Sequence, residues 1–559
     1  MTTNRRTGGR LLVDQLILNG ADLAFGVPGE SYLAVLDALV DRPELRYITC
    51  RQEGGAAMMA EAYGKLTGRP GICLVTRGPG ATNASAGVHV AFQDSTPLIL
   101  LIGQVGRAMR EREAFQEIDF RRMYGQMAKC VAEIDDAARI PEFIHRAYQT
   151  ALNGRPGPVV LALPEDMLRD LTDAADGRPA RAAPAHPGGA DMAELGDRLA
   201  RAARPFLLLG GGGWSESAVA DIRAFAEGFD LPVGVSFRCQ DTFDNTHPNY
   251  AGHVGIGIAP KLKALIQGSD LIVAVGARLG EITTGGYALL DLPRPAQSLI
   301  HVHPGPEELG RVFQADLAIN AAVAPFAAAA RALRAPADPP WSSRTRAAHA
   351  AWAEFARPLA VAGPVQPGEI VAWLADTLPP QAILCNGAGN YAIWLHRHYR
   401  YRRWRSQLAP TSGSMGYGTP AAVAAKLVHP DRPVVAFAGD GCFQMTMQEF
   451  GTAVGLGLGI VFIIVNNGMY GTIRMHQERT YPTRVSGTDL VNPDFAALAR
   501  SYGAVGVTVT RTEDFAAAFA EGRAQAGPAL IELRLDPEAL TPAAGLSEIR
   551  AQALARVSK

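Results

Sequence analysis

Three α/β domains, each a doubly wound parallel sheet, are the fold class this sequence predicts, and three observations predict it. Short β-branched apolar runs alternate with amphipathic, alanine-rich stretches along the chain. The runs are continuously apolar, as strands covered by helices on both faces must be. Two segments rich in Ala, Pro and Gly or Ser, GRPARAAPAHPGGAD near 177–191 and RAPADPPWSSRTRAAHAAW near 334–352, interrupt the texture and read as linkers. The expected domains are 1–175, 190–335 and 360–545, a division that suits 559 residues.

The strands follow in order. GICLVTRG, LILLIGQV and GPVVLALP belong to the first block, PFLLLGGGG, LIVAVGAR and SLIHVHPG to the second, and PVVAFAGDG and IVFIIVNN to the third. The 53 basic and 54 acidic residues nearly cancel, so bulk charge gives no argument for nucleic acid or a membrane surface. Six cysteines (Cys50, Cys73, Cys130, Cys239, Cys385, Cys442) lack CxxC spacing, and MTTNRRTGGRLLVDQLILNG has no sustained apolar core ending in a cleavage signature. A reducing cytoplasm is the expected compartment. The uncharged segment 451–468 is too short and glycine-rich for a membrane span and reads as buried core.

The third block carries GDGCFQMTMQEFGTAVGLGLGIVFIIVNN, residues 439–467. PVVAFAG reads as a strand ending at Gly439, CFQMTMQEFGTAVGLG as a helix, and IVFIIVNN as the next strand, which makes one βαβ unit. Right-handed crossover makes the strands parallel, so Asp440 and Asn467, 27 positions apart, emerge at the carboxyl edge where open α/β sheets bind ligands. A carboxylate and an amide carbonyl are hard oxygen donors of the kind magnesium takes beside phosphate oxygens. Gly441 and Cys442 open the helix and can turn their N–H groups to the same phosphates. A hairpin at Asp440-Gly441 is the alternative, and the continuous apolar flanks argue against it.

GDG, 24 residues and then NN resembles the magnesium–diphosphate motif of enzymes dependent on thiamine diphosphate (ThDP). The resemblance implies Asp440 and Asn467 as magnesium ligands, a third ligand from the backbone carbonyl of Met469, and cofactor contacts from Gly439, Gly441, Cys442, Tyr470 and Gly471. It covers nearly the whole chain and is strongest to the acetohydroxyacid (acetolactate) synthase and pyruvate oxidase branch: AFGVPGE, RQEGGAAMMAEAYGKLTG, GPGATN, FQDSTPLILLIGQV, AFQE and GRPGPVVLALPEDM occur in family order. It implies domains for pyrimidine binding, a Rossmann-like centre and diphosphate binding.

Thiamin chemistry needs a carboxyl group at N1′ of the aminopyrimidine ring, and the resemblance gives that role to Glu53. The bland reading is a negative charge in the first turn of a helix. Pro28, Gly29, Pro79 and Asn83 frame Glu53 on the pyrimidine side, whereas Glu61 is expected to be a solvated helix residue. In NGAGNYAIW the residues Gly389, Asn390 and Tyr391 are expected on the phosphates. In TSGSMGYGTPAAVAAKL the resemblance implies that the Gly413 carbonyl accepts from the 4′-amino group and that Met415 is the wedge between the rings, though methionine is equally an adaptable core filler.

The implied reaction is addition to a 2-oxo acid, loss of carbon dioxide, and transfer of the remaining carbon to a second carbonyl, giving 2-acetolactate from pyruvate. Phe115, Gln116 and Lys129 line the substrate approach, with Gln116 and Lys129 joining Glu53 in the catalytic set. NNGMYGTIRMHQE departs from the synthase pattern, with His476 at the position of the tryptophan that selects the second keto acid. Arg474 and His476 either hold an acceptor carboxylate or lie on an exposed helix face. The alternatives are a benzoylformate decarboxylase-like enzyme releasing aldehyde, an FAD-dependent oxidase, and a degenerate binding protein, which the presence of Glu53, Asp440 and Asn467 opposes.

LLLGGGGW and VAVGARLGE in the second block are weak dinucleotide signals, and His301 and His303 stand where an acid would meet a ribose, which argues against FAD. As a metal pair these histidines lack a third ligand, so structural roles are expected. By family analogy the chain assembles as a dimer or tetramer with sites at subunit interfaces, acts on a small molecule, and engages neither nucleic acid nor membrane.

Overall fold

Every apolar run named above is a strand in the computed structural model, which describes residues 5–557. The strands form three six-stranded parallel sheets. Spatially, the first runs Arg46–Thr49, Leu23–Gly26, Gly71–Val75, Leu98–Gln104, Pro158–Pro164, Cys130–Glu133. Its succession, second-first-third-fourth-sixth-fifth in chain order, recurs in the last sheet: Gln407–Leu408, Ile383–Asn386, Val434–Gly439, Ile460–Asn466, Ala529–Arg534, Val505–Val509. The middle sheet runs Tyr250–Val254, Val233–Ser236, Pro205–Leu209, Leu271–Val275, Ser298–His303, Leu317–Asn320, the 3-2-1-4-5-6 order of dinucleotide-binding folds.

Two compact units emerge: Met1–Ala183 with Val423–Val428, which holds the first sheet, and Pro184–Ala422 with His429–Lys559, which holds the other two. The strands are buried on both faces because amphipathic helices cover them. Ile140–Leu152 shows the rule: Ile140, Phe143, Ile144, Ala147, Tyr148 and Ala151 point inward at three- and four-residue spacing, while Glu142 and Arg146 stay outside the core. Burying one such large apolar side chain contributes about 1.5–3 kcal/mol. No helix among the described residues is long and apolar enough to cross a membrane, and all six cysteines are free.

Three expectations are corrected and one alternative is excluded. The segment near 334–352 is not simply a linker: Ser342–Phe355 is a helix, and Trp341 and Trp352 are buried in the core of the middle sheet. Two apolar anchors outweigh the Pro- and Ser-rich composition around them. The helix after Gly439 is broken, Asp440–Gln444 being followed by Gln448–Gly455. Between them Thr446, Glu449 and Phe450 bond three residues back, and the Thr446 hydroxyl donates to the Gly416 carbonyl at 2.6 Å, which pulls the turn tight. Glu61 is 0% exposed rather than solvated: it accepts from Thr96 Oγ1 at 2.7 Å and pairs with Lys65 at 3.3 Å. The hairpin alternative at Asp440 is excluded, since Val434–Gly439 and Ile460–Asn466 are parallel neighbours in register.

His301 and His303 are both buried, and each ring has its own backbone partner. His301 Nε2 lies 3.0 Å from the Ala277 carbonyl, and His303 Nδ1 lies 3.0 Å from the Gly305 N–H. They are structural histidines.

Candidate active site

The carboxyl edge of the first sheet gathers one cluster. Glu53 is the first residue of the helix Glu53–Thr67, just beyond the strand Arg46–Thr49, and Gln52 caps that helix by accepting the Gly55 N–H at 3.0 Å. Asn83, on the helix Pro79–Asp94, donates its amide to Glu53 Oε2 at 2.9 Å and fixes the carboxylate's orientation. Gly78 introduces that second helix at φ +47, and a Cβ there would sit 2.8 Å from Gln116 Cβ, so only glycine admits the Gln116 backbone. Gln116 itself adopts φ +64, and Phe115 beside it is 72% exposed. Pro28 and Gly29 lie in the turn after Leu23–Gly26, with Gly29 against Thr76 of the next loop. The loop carrying Pro28 and the helix start carrying Pro79 and Asn83 thus flank the point where strand order reverses, the usual ligand crevice.

Arg77 has no role among the sequence expectations. Its guanidinium donates to the Phe115 carbonyl at 3.0 Å and pairs with Glu30 at 3.1 Å and Glu165 at 3.3 Å, tying the Phe115–Gln116 loop to this edge. Lys129 is corrected. It precedes the strand Cys130–Glu133 and bonds the start of Pro158–Pro164, so it stands at the amino edge, opposite Glu53, with Nζ on the Asn153 carbonyl at 2.6 Å. Within this chain it does not join the Glu53 cluster.

The last sheet gathers the second cluster, again where its strand order reverses. The separation between Asp440 and Asn467 closes because their strands are hydrogen-bonded neighbours: Asp440 Oδ2 accepts the Gly468 N–H at 2.9 Å. Asp440 is 3% exposed, and burial pushes its carboxyl above the ordinary value, partly countered by N–H groups of Gly441, Asn492, Gly468 and Met469. The hydrogen-bond partners of this carboxylate are N–H groups. The Asn467 side-chain carbonyl faces the Met469 N–H at 3.3 Å, and the Met469 carbonyl accepts from Gly471 at 2.9 Å. A carboxylate, an amide oxygen and a main-chain carbonyl make an all-oxygen donor set with a single acidic side chain, and among the described residues no group of three or more His, Cys, Asp or Glu is placed to hold a metal ion. A buried carboxylate beside two such oxygens fits a small divalent ion.

Two expected phosphate contacts are revised. The Gly441 N–H is turned onto Asp440 Oδ1 at 2.8 Å, while a Cβ at Gly441 would meet Tyr470 Cε1 at 2.5 Å. Tyr391 is buried beneath the loops: its hydroxyl accepts the Gly387 N–H at 3.0 Å and lies 3.1 Å from Cys442 Sγ, which in turn accepts the Gly416 N–H at 3.1 Å. Tyr391 and Cys442 therefore brace the segments of Gly389 and Met415 from behind. Asn390 is held by Thr472, and Gly413, at φ +69, is open to solvent beside the half-buried Met415.

Arg474 is corrected as an acceptor-carboxylate site, because its guanidinium already pairs with Asp489 and donates to Thr488 Oγ1 at 2.8 Å. His476 is exposed on the helix Gly471–Thr480. The residue that sequence reasoning missed here is Asn492, whose amide donates to Asp440 Oδ2 at 2.8 Å. Its loop has no periodicity and no motif that would have announced it.

Comparison with known proteins agrees with this geometry. Three family models match: "Thiamine pyrophosphate enzyme, N-terminal TPP binding domain" over residues 6–123, the central domain over 192–330, and the C-terminal TPP binding domain over 387–533. The chain is 32% identical to an acetolactate synthase large subunit of Corynebacterium glutamicum, with 93% of this chain and 85% of that protein covered. It is 34% identical to the large subunit of Parasynechococcus marenigrum (91% and 84% covered) and 30% identical to the isozyme 2 large subunit of Escherichia coli (95% and 95%).

Proposed function

Because this chain belongs to the thiamine pyrophosphate enzyme family, we propose that it decarboxylates a 2-oxo acid and joins the remaining carbon to a second carbonyl, with pyruvate in both roles and 2-acetolactate as product. The observation that carries this reading is full-length similarity to acetolactate synthase large subunits, together with a Glu53 cluster and an Asp440 cluster each at a switch point.

When bound, ThDP supplies the reactive carbon and electron sink that such a decarboxylation needs. Glu53 holds a proton at the pyrimidine nitrogen, with Asn83 keeping its carboxyl group in line. Asp440, Asn467 and the Met469 carbonyl would hold magnesium, and the Gly389–Asn390 turn and Gly471 would contact the diphosphate. Met415 would serve as the wedge between the two rings, and Gly416, pinned by Cys442 and Thr446, fixes its loop. Gln116 and Phe115 border the substrate's approach, and His476, exposed and free of the Arg474–Asp489 pair, meets the acceptor's carboxylate.

The domains proposed are 1–175 for the pyrimidine, 190–335 as the centre and 360–545 for the diphosphate. By family analogy the assembly proposed is a homodimer or homotetramer whose copies complete one another's sites, in the cytoplasm; within one chain the two clusters belong to different compact units. Flavin is possible but less favoured: the middle sheet has the dinucleotide strand order, but its strand Ser298–His303 ends at a histidine rather than at an acid that would meet a ribose. A panel of 2-oxo acids with ThDP and magnesium tests the proposal. Pyruvate is expected to yield one carbon dioxide and one acetolactate per two molecules consumed. Free aldehyde as the main product would make the chain a simple decarboxylase, and peroxide with oxygen uptake would make it a flavin oxidase.

A further inference from the structure

We infer that Asn492 is a positioning residue that holds the Asp440 carboxylate in the orientation required to receive the divalent cation. This rests on the cofactor reading above. Asn492 uses every polar group of its side chain. One N–H donates to Asp440 Oδ2 at 2.8 Å, the other to Asn466 Oδ1 at 2.8 Å, and its own Oδ1 accepts from Gln444 Nε2 at 2.9 Å. That pattern allows only one orientation of the amide.

The two acceptors are themselves anchored. Asn466 donates onward to Glu532 at 2.7 Å, and Glu532, fully buried on the adjacent strand, also accepts from Thr508 at 3.0 Å. With Gly468 N–H and Asn492 both on Oδ2, that oxygen has two donors, whereas Oδ1 bonds only the Gly441 N–H among the hydrogen bonds given above.

Asn492 is carried on the segment 481–494, which has no helix or strand yet is fastened along its length. Leu490 N–H donates to the Gly468 carbonyl at 2.8 Å, the Thr488 carbonyl accepts from Tyr470 at 2.9 Å, and the Ser486 carbonyl accepts from Gln477 at 2.7 Å. A segment so tied can aim one amide at a buried carboxylate. Groups that orient metal ligands in this way typically change metal affinity 10–100-fold when removed.

The test is titration of magnesium into the full-length apoprotein at fixed ThDP, followed by protein fluorescence, for the wild type, Asn492→Leu and Asn492→Ala. The magnesium concentration at half-saturation is expected to rise about 10–100-fold in both variants. At saturating magnesium the KM for pyruvate is expected to stay within about twofold of wild type, a split that a merely structural role would not produce. Thermal unfolding without cofactor checks folding, and if Asn492→Leu fails to fold, Asn492→Ala carries the comparison. Variants that half-saturate within twofold of wild type would overturn the role of Asn492 alone. A wild type that takes up neither magnesium nor ThDP would overturn the cofactor reading with it.

Discussion

Replacing Glu53 with glutamine is expected to lower turnover of pyruvate about 10³-fold while leaving ThDP bound with an affinity within about threefold of wild type. Glutamine keeps the shape, and its carbonyl can still accept the Asn83 amide that now meets Glu53 Oε2 at 2.9 Å, so the local structure has no reason to move. What it cannot do is hold and exchange a proton at the pyrimidine nitrogen. Steady-state product assays and a fluorescence titration of ThDP on the same preparation separate the two effects. Normal turnover in the variant would remove Glu53 from its role, and loss of ThDP binding would mean that the glutamate serves the fold or the pocket rather than the chemistry.

Asp440→Ala should act in the opposite way, by abolishing cofactor uptake. The substitution removes the one carboxylate of the oxygen set and strands the N–H groups of Gly441 and Gly468 and the amide of Asn492, all of which now donate to it. A bound cofactor at a hundred times its Kd stabilises a protein by about 2.7 kcal/mol. That increment, read as a rise in Tm on adding ThDP with magnesium, is expected for the wild type and should be absent in Asp440→Ala. An undiminished rise in the variant would place the diphosphate elsewhere.

The contrast between what could and could not be read in advance follows from how each residue is placed. Asp440 and Asn467 were legible because strand periodicity and right-handed crossover leave only one edge at which both can emerge. Glu53 was legible because a short strand, a capped helix start and glycine-framed neighbours surround it. Asn492 was not, because its role depends on a loop whose path is set by hydrogen bonds to Gly468 and Tyr470, and no period in the sequence encodes that path. Lys129 and Arg474 were misplaced for a related reason. Positional resemblance gives a residue type, whereas the Asn153 carbonyl and the Asp489 carboxylate that hold these two side chains come from other segments. Glu61 looked solvated because charge is usually exposed, yet Lys65 and Thr96 offset its burial. Trp341 and Trp352 show the same competition, since two large apolar side chains anchored a helix where composition read as linker.

The central claim is that two neighbouring parallel strands bring Asp440 and Asn467 together to bind a cation that carries the diphosphate. Anomalous diffraction from crystals grown with ThDP and manganese in place of magnesium tests it most directly. The account predicts one strong manganese peak in contact with Asp440, Asn467 and the Met469 carbonyl, with the diphosphate beside it along residues 387–391. A peak at His301 and His303, or anywhere else away from Asp440, would contradict it.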